Sequence, residues 1–198
     1  AYEITTRLVG SEMCIRYSFV ACHNPSYVDK YNMVQELVDG GTFLLNCSWD
    51  MEGLEEHLPG QVKSYIANHN IKFYTIDGIK IGKEIGLGGR INTVLQSAFF
   101  KLAAIIPEEE AIDLMKAAAK ATYGRKGDKI VQMNYDAIDA GAKQVVEIAV
   151  PESWKDAADE GLTTPHVGEG GRADVVDFVK NIQAKVNAQE GNTLPVSA

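Results

Sequence analysis

Three times in its first 85 residues the chain follows the same plan. "YSFVAC" (17–22), "TFLLNC" (42–47) and "KFYTI" (72–76) are short, dense apolar runs, each broken by a polar corner and followed by residues of helical character. A strand that is apolar on both faces belongs inside a sheet covered on both sides. Parallel neighbours need a crossover of a dozen or more residues, usually a helix, so strand–corner–helix units imply parallel pairing. The expected class is α/β, with a mostly parallel sheet flanked by helices, followed by an all-helical C-terminal part and an extended arm.

Each corner predicts how a helix starts. After the first run, Asn24 stands at an N-cap position and Pro25 at the first helical position. Tyr27, Tyr31, Val34 and Val38 follow at helical spacing, and Gly40-Gly41 reads as the stop, which predicts a helix over this stretch. After the second run, Ser48 or Asp50 caps a helix through "MEGLEEHL", and Pro59 opens another, "PGQVKSYIANH". After the third, Asp77-Gly78 leads into "IKIGKEIG". A further β-like run, "YEITTRLV", precedes all three and closes at Gly10.

From residue 92 only helical periodicity remains. Leu95, Phe99, Leu102 and Ile106 share one face. Pro107 with Glu108 to Glu110 marks the next start, because carboxylates suit the positive end of a helix dipole, and Gly124 ends that helix after Ala111, Leu114, Ala118 and Thr122. Val131, Tyr135, Ile138, Ala142 and Val145 place a third amphipathic helix on "VQMNYDAIDAGAKQVVEI". Beyond Pro151, "PESWKDAADEGLTTPHVGEGGRA" reads as an exposed arm, with one late helix near "DVVDFVKNIQAKV".

Composition narrows the function. The formal charge of −8 and the lack of a Lys/Arg-rich block exclude a nucleic-acid partner. The longest apolar run, "VLQSAFFKLAAII", is interrupted by Gln96 and Lys101, so no membrane span is expected. Cys14, Cys22 and Cys47 are isolated thiols without a CxxC, which points to a reducing, cytoplasmic setting and offers no local metal or cluster site.

Open α/β sheets bind ligands outside the carboxyl ends of their strands. Cys22, His23 and Asn24 stand at one such end, and Asn46, Cys47, Ser48 and Trp49 at another; if the two strands are neighbours, both groups line one crevice. Free N–H groups of the helix starts there suit an anion. The plainer reading is that Asn24-Pro25 only begins a helix and that Cys22 is a small buried hydrophobe. Adjacent strand residues point to opposite faces, which argues against a Cys22–His23 dyad. Trp49 suits a planar ligand, a partner domain or the core. His57, His69 and His166 form no metal pair. "GLGGRINT" (86–93) fits neither a dinucleotide fingerprint nor a P-loop and reads as a turn between helices, with Asn92 or Thr93 as N-cap. No Ser nucleophile elbow, carboxylate pair or metal triad can be read from spacing, so no catalytic residue is assigned.

The long run from "FVACHNPSYVDKYNMVQELVDGGTFLLNCSWD" through "TIDGIKIGKEIGLGGRINTVLQSAFFKLAAIIPEEEAI" and on to "VPESWKDAADEG" and "LPVSA" resembles the gamma-type domain of pyruvate:ferredoxin (flavodoxin) oxidoreductases, of the 2-oxoacid:ferredoxin oxidoreductase family. The resemblance implies a part in oxidative decarboxylation of pyruvate to acetyl-CoA and CO2, with electrons passed to ferredoxin or flavodoxin. It implies that thiamine diphosphate with Mg2+, and the [4Fe–4S] clusters, sit in other domains of a cytoplasmic, homodimeric enzyme. In the family this domain is associated with coenzyme A, so His23, Asn24, Asn46, Trp49 and Asn92 become the expected CoA-side contacts. Two family features, an N-terminal Gly-rich segment and a pattern like "HLRFG…PI…YL" before "FVACH", are not matched here. Residues 1–150 are therefore expected to be a gamma-type domain without that segment, and 151–198 a linker arm with one helix leading to a next domain. The alternative is a non-catalytic scaffold or anion-binding module.

Overall fold

The computed structural model describes residues 17–157, 171–187 and 191–195. The "YEITTRLV" run, Cys14, His166 and most of the Gly-rich arm lie outside the described residues. Strands β1 (Tyr17–Cys22), β2 (Leu37–Asn46) and β3 (Lys72–Ile76) pair in parallel in that order, and β4 (Val146–Glu147) runs antiparallel to β3. Helices α1 (Met51–His57) and α2 (Gly60–Asn68) join β2 to β3. Then come α3 (Gly78–Ile85), α4 (Asn92–Ala103), α5 (Glu108–Tyr123) and α6 (Asp128–Lys143).

Alternation along the strands divides the core between the two faces of the sheet. Phe43, Leu45, Cys22 and Phe73 pack with Leu54, Val62 and Ile66 of α1 and α2 on one face. Leu44 and Ile76 pack with Ile81, Val94, Leu95, Ala98 and Ala137 of α3, α4 and α6 on the other. The α/β expectation of a mostly parallel sheet flanked by helices is met, and α1, α3 and α5 start where expected, the first two capped by the carboxylates of Asp50 and Asp77, which accept from Gly53 N and Lys80 N, both at 2.9 Å.

Five local expectations are corrected. The helix expected after Pro25 is one 3-10 turn, Pro25–Tyr27, and the chain then runs irregularly to Leu37. Of the residues read at helical spacing only Val34 is buried, packed in the first core with Val28 and Leu37, while Tyr27 is 42% exposed, so the four do not form one buried face. Gly40-Gly41 does not stop a helix; it forms an irregularity inside β2, where pairing passes from Tyr17↔Leu37 to Phe19↔Thr42. Gly40 has φ +71°, and a Cβ on Gly41 would lie 2.8 Å from the Val38 carbonyl oxygen. The third long helix ends at Lys143, because Val146 and Glu147 complete the sheet beside Thr75 and Tyr74. The N-cap of α4 is Ile91, with Asn92 the first helical residue and Thr93 turned to Asn134. Finally, the start of the arm is docked: Glu152–Asp156 forms a 3-10 turn that buries Trp154 to 1% exposure.

Candidate functional site at the carboxyl ends of the strands

Because β1, β2 and β3 are parallel neighbours, their polar corners come out on one edge of the sheet. Asn46 ties the three corners together. It is 2% exposed, its Nδ2 donates to the His23 carbonyl oxygen at 2.8 Å, and its Oδ1 accepts from Gly78 N at 2.9 Å. One buried amide thus links the end of β1 to the start of α3, with both polar ends of its side chain satisfied. Cys47 N adds a bond to the Ile76 carbonyl at 3.0 Å.

Around this brace lies a hollow of about 390 Å³, lined by Pro25, Asn46, Cys47, Ser48, Asp77, Ile79, Lys80, Lys83 and Glu84. Its volume falls in the range of small-molecule sites. All three corners contribute to its lining. A second hollow of about 410 Å³ sits at the turn between α4 and α5, away from the strand ends. Its two charged residues, Lys101 and Glu108, pair with each other at 3.5 Å, so it presents no unmet charge to a ligand.

The helix starts bring less to an anion than the sequence implies. Asn24 caps its turn by accepting from Ser26 N at 3.1 Å. Asp50 and Asp77 place carboxylates at the starts of α1 and α3, and Gly78 N is held by Asn46. The basic groups of the groove are Lys80 and Lys83, beside the carboxylates of Asp77 and Glu84; both lysines are exposed residues on α3 that make no ion pair among the described residues. Sequence reasoning missed them. The available signal was their place in the helix directly after the third strand, three residues apart and so on one face.

Of the residues expected at the site, Asn46 lines the hollow and Asn24 adjoins it through Pro25. His23 is exposed and contributes its backbone carbonyl to Asn46. Trp49 is half-buried against the first core and stacks on His57 with ring centroids 4.7 Å apart. Asn92 is exposed at the start of α4 and is not part of the lining. Both described thiols are free and buried. Burial pushes Cys22 up to about 11, offset in part by a backbone hydrogen bond at Asn24, and burial likewise raises Cys47. Among the described residues no three His, Cys, Asp or Glu side chains converge to hold a metal ion, and no helix is long and apolar enough to cross a membrane.

The fold defines a class: an open, mostly parallel α/β domain with a hollow at the carboxyl ends of its strands. The chain belongs to the pyruvate ferredoxin/flavodoxin oxidoreductase family, whose sequence model matches residues 8–144. It is 45% identical over 178 residues to a pyruvate:ferredoxin oxidoreductase of Moorella thermoacetica, an alignment that takes in 90% of this chain and 15% of that protein. It is 40% identical over 202 residues to a pyruvate dehydrogenase [NADP(+)] of Cryptosporidium parvum, covering 92% of this chain and 10% of that one. The crystal structure of pyruvate oxidoreductase subunit PORC from Thermotoga maritima shares the fold, with a TM-score of 0.53 at 18% identity over 69% of this chain and 68% of that one. The chain therefore spans a small fraction of the curated relatives it matches.

Proposed function

We propose that this chain is the gamma-type domain of an enzyme that decarboxylates pyruvate oxidatively to acetyl-CoA and CO2, and that it supplies coenzyme A-side and interdomain contacts, with no catalytic residue of its own. The observation that carries the CoA part is the groove at the strand ends with its two unpaired lysines. Lys80 and Lys83 suit the phosphates of CoA, while Ile79 and Pro25 offer apolar surface to a pantetheine arm. His23, Asn24 and Asn46 act at the rim by shaping the groove, Trp49 acts from the neighbouring corner, and Asn92 belongs to the flank beyond α3.

Thiamine diphosphate with Mg2+ and the [4Fe–4S] clusters belong, in this reading, to the rest of a cytoplasmic, homodimeric enzyme. The described donors do not fit them: both described cysteines are buried in the core, and no acidic or imidazole group completes a set. The relatives named above share pyruvate but carry different acceptors in their names, ferredoxin and NADP(+). The choice of ferredoxin or flavodoxin as acceptor is therefore assigned to other parts of the enzyme.

Calorimetric titration of the chain with CoA tests the proposal. Expected is submillimolar binding that weakens about tenfold when Lys80 and Lys83 are both changed to alanine, and that falls with added salt. One observation favours a scaffold role instead: the caps and the Asn46 amide already satisfy most polar groups of the corners internally. Absence of CoA binding, together with tight association with the remaining domains, decides for that scaffold.

A further inference from the structure

Among the described residues the last helical segment exposes three large hydrophobic side chains, more than any other helix. Ala173–Phe178 continues through a π turn, Val179–Gln183, into Ala184–Asn187. Val175, Phe178, Val179, Ile182 and Val186 recur at steps of three and four residues, which aligns them along one side of the rod. Val175, Phe178 and Val186 are 46%, 54% and 54% exposed. Asp174, Asp177, Lys180 and Lys185 carry the other sides. A contiguous apolar stripe rimmed by charge marks a surface that another element covers.

Two occupants fit poorly. A rod of 15 residues is only about 22 Å long by the helical rise, too short a seam for two copies to reach the roughly 1,200 Å² of a stable interface. The polar sides balance acid against base, whereas a membrane-surface helix carries a basic face. A third occupant is favoured by length: the alignments take in 90% and 92% of this chain but only 15% and 10% of the relatives. We infer that residues 173–187 dock with their apolar stripe inward in an apolar groove on another part of the same, longer polypeptide. The inference rests on the reading of this chain as one domain of a large enzyme, and it is independent of the CoA groove.

Hydrogen–deuterium exchange tests it, comparing the natural-length polypeptide that carries this segment with residues 1–198 alone. Amides of the helix are expected to exchange about a hundredfold more slowly in the longer protein. Phe178→Asp restores the faster rate, whereas Lys180→Ala on a polar side does not. Phe178 is exposed in the chain itself, so the substitution leaves the fold and CoA affinity of residues 1–198 unchanged, which separates a failure here from a failure of the CoA reading. Equal exchange in both proteins overturns the inference. So does a dimer of residues 1–198 that Phe178→Asp dissolves in light scattering, or binding of this helix to anionic vesicles.

Discussion

The two faces of the sheet are closed by opposite means. On the first, a large side chain from far along the chain is held by polar bonds. Trp154 packs against Phe73, with ring centroids 6.2 Å apart, and donates from Nε1 to Glu55 at 2.6 Å. Lys63 pairs with the other oxygen of that carboxylate at 3.3 Å, and Ser64 and Asn68 donate to the Lys155 carbonyl. On the second face, closure depends on the absence of a side chain: Gly141 of α6 lies so near α4 that a Cβ would collide with the Val94 carbonyl oxygen. Ser97 then donates to the Ile138 carbonyl at 2.6 Å across the same crossing. The contrast teaches that one face is fastened by a removable strap and the other by backbone proximity, so they should fail differently.

Removing the strap's anchor is expected to do most damage. Trp154→Ala empties a fully buried site and should cost about 4 kcal/mol, read as a lowered urea midpoint, with new proteolytic cleavage after Pro151. Gly141→Ala should cost about 3 kcal/mol by forcing α4 and α6 apart; if it proves neutral, the steric account of the second face is wrong. Glu55→Gln keeps the shape of the latch but removes its charge. It should cost about 1–2 kcal/mol, and the difference from the unchanged protein should shrink in high salt. Ser97→Ala should cost about 1 kcal/mol with no salt dependence. The smallest effect at neutral pH is thiol labelling. Cys22 is raised to about 11, so its thiolate is a minor species below that pH, and its alkylation should be slow at pH 7 and speed up about tenfold per pH unit towards 11. Fast labelling at pH 7 would mean that the first face opens readily.

Local chemistry made the strand–corner–helix units legible. Asp50, Asp77 and the dense runs before them act within a few residues of themselves, and the structure keeps each in place. The loop between Pro25 and Leu37 was not legible, because Tyr27, Tyr31, Val34 and Val38 recur at helical spacing although only Val34 is buried. Nor was β4: Val146 is strand only because Thr75 offers it a free edge. A crevice between the first two strand ends was expected, but not the lysines that the third corner's helix brings to it. Asn46 was read as a ligand contact from its position; that its amide would bridge His23 and Gly78 needed the register Asn46↔Ile76.

The sequence by itself determined where β1, β2 and β3 end and where α1, α3 and α5 begin, because caps, prolines and apolar runs are short-range interactions. Only the tertiary structure decided that the three corners adjoin in the order β1-β2-β3, that Trp154 returns to close the first face, and that Lys80 and Lys83 supply the groove's positive charge. Those outcomes depend on contacts between residues distant in the chain, whose energies appear only once the sheet has brought them together.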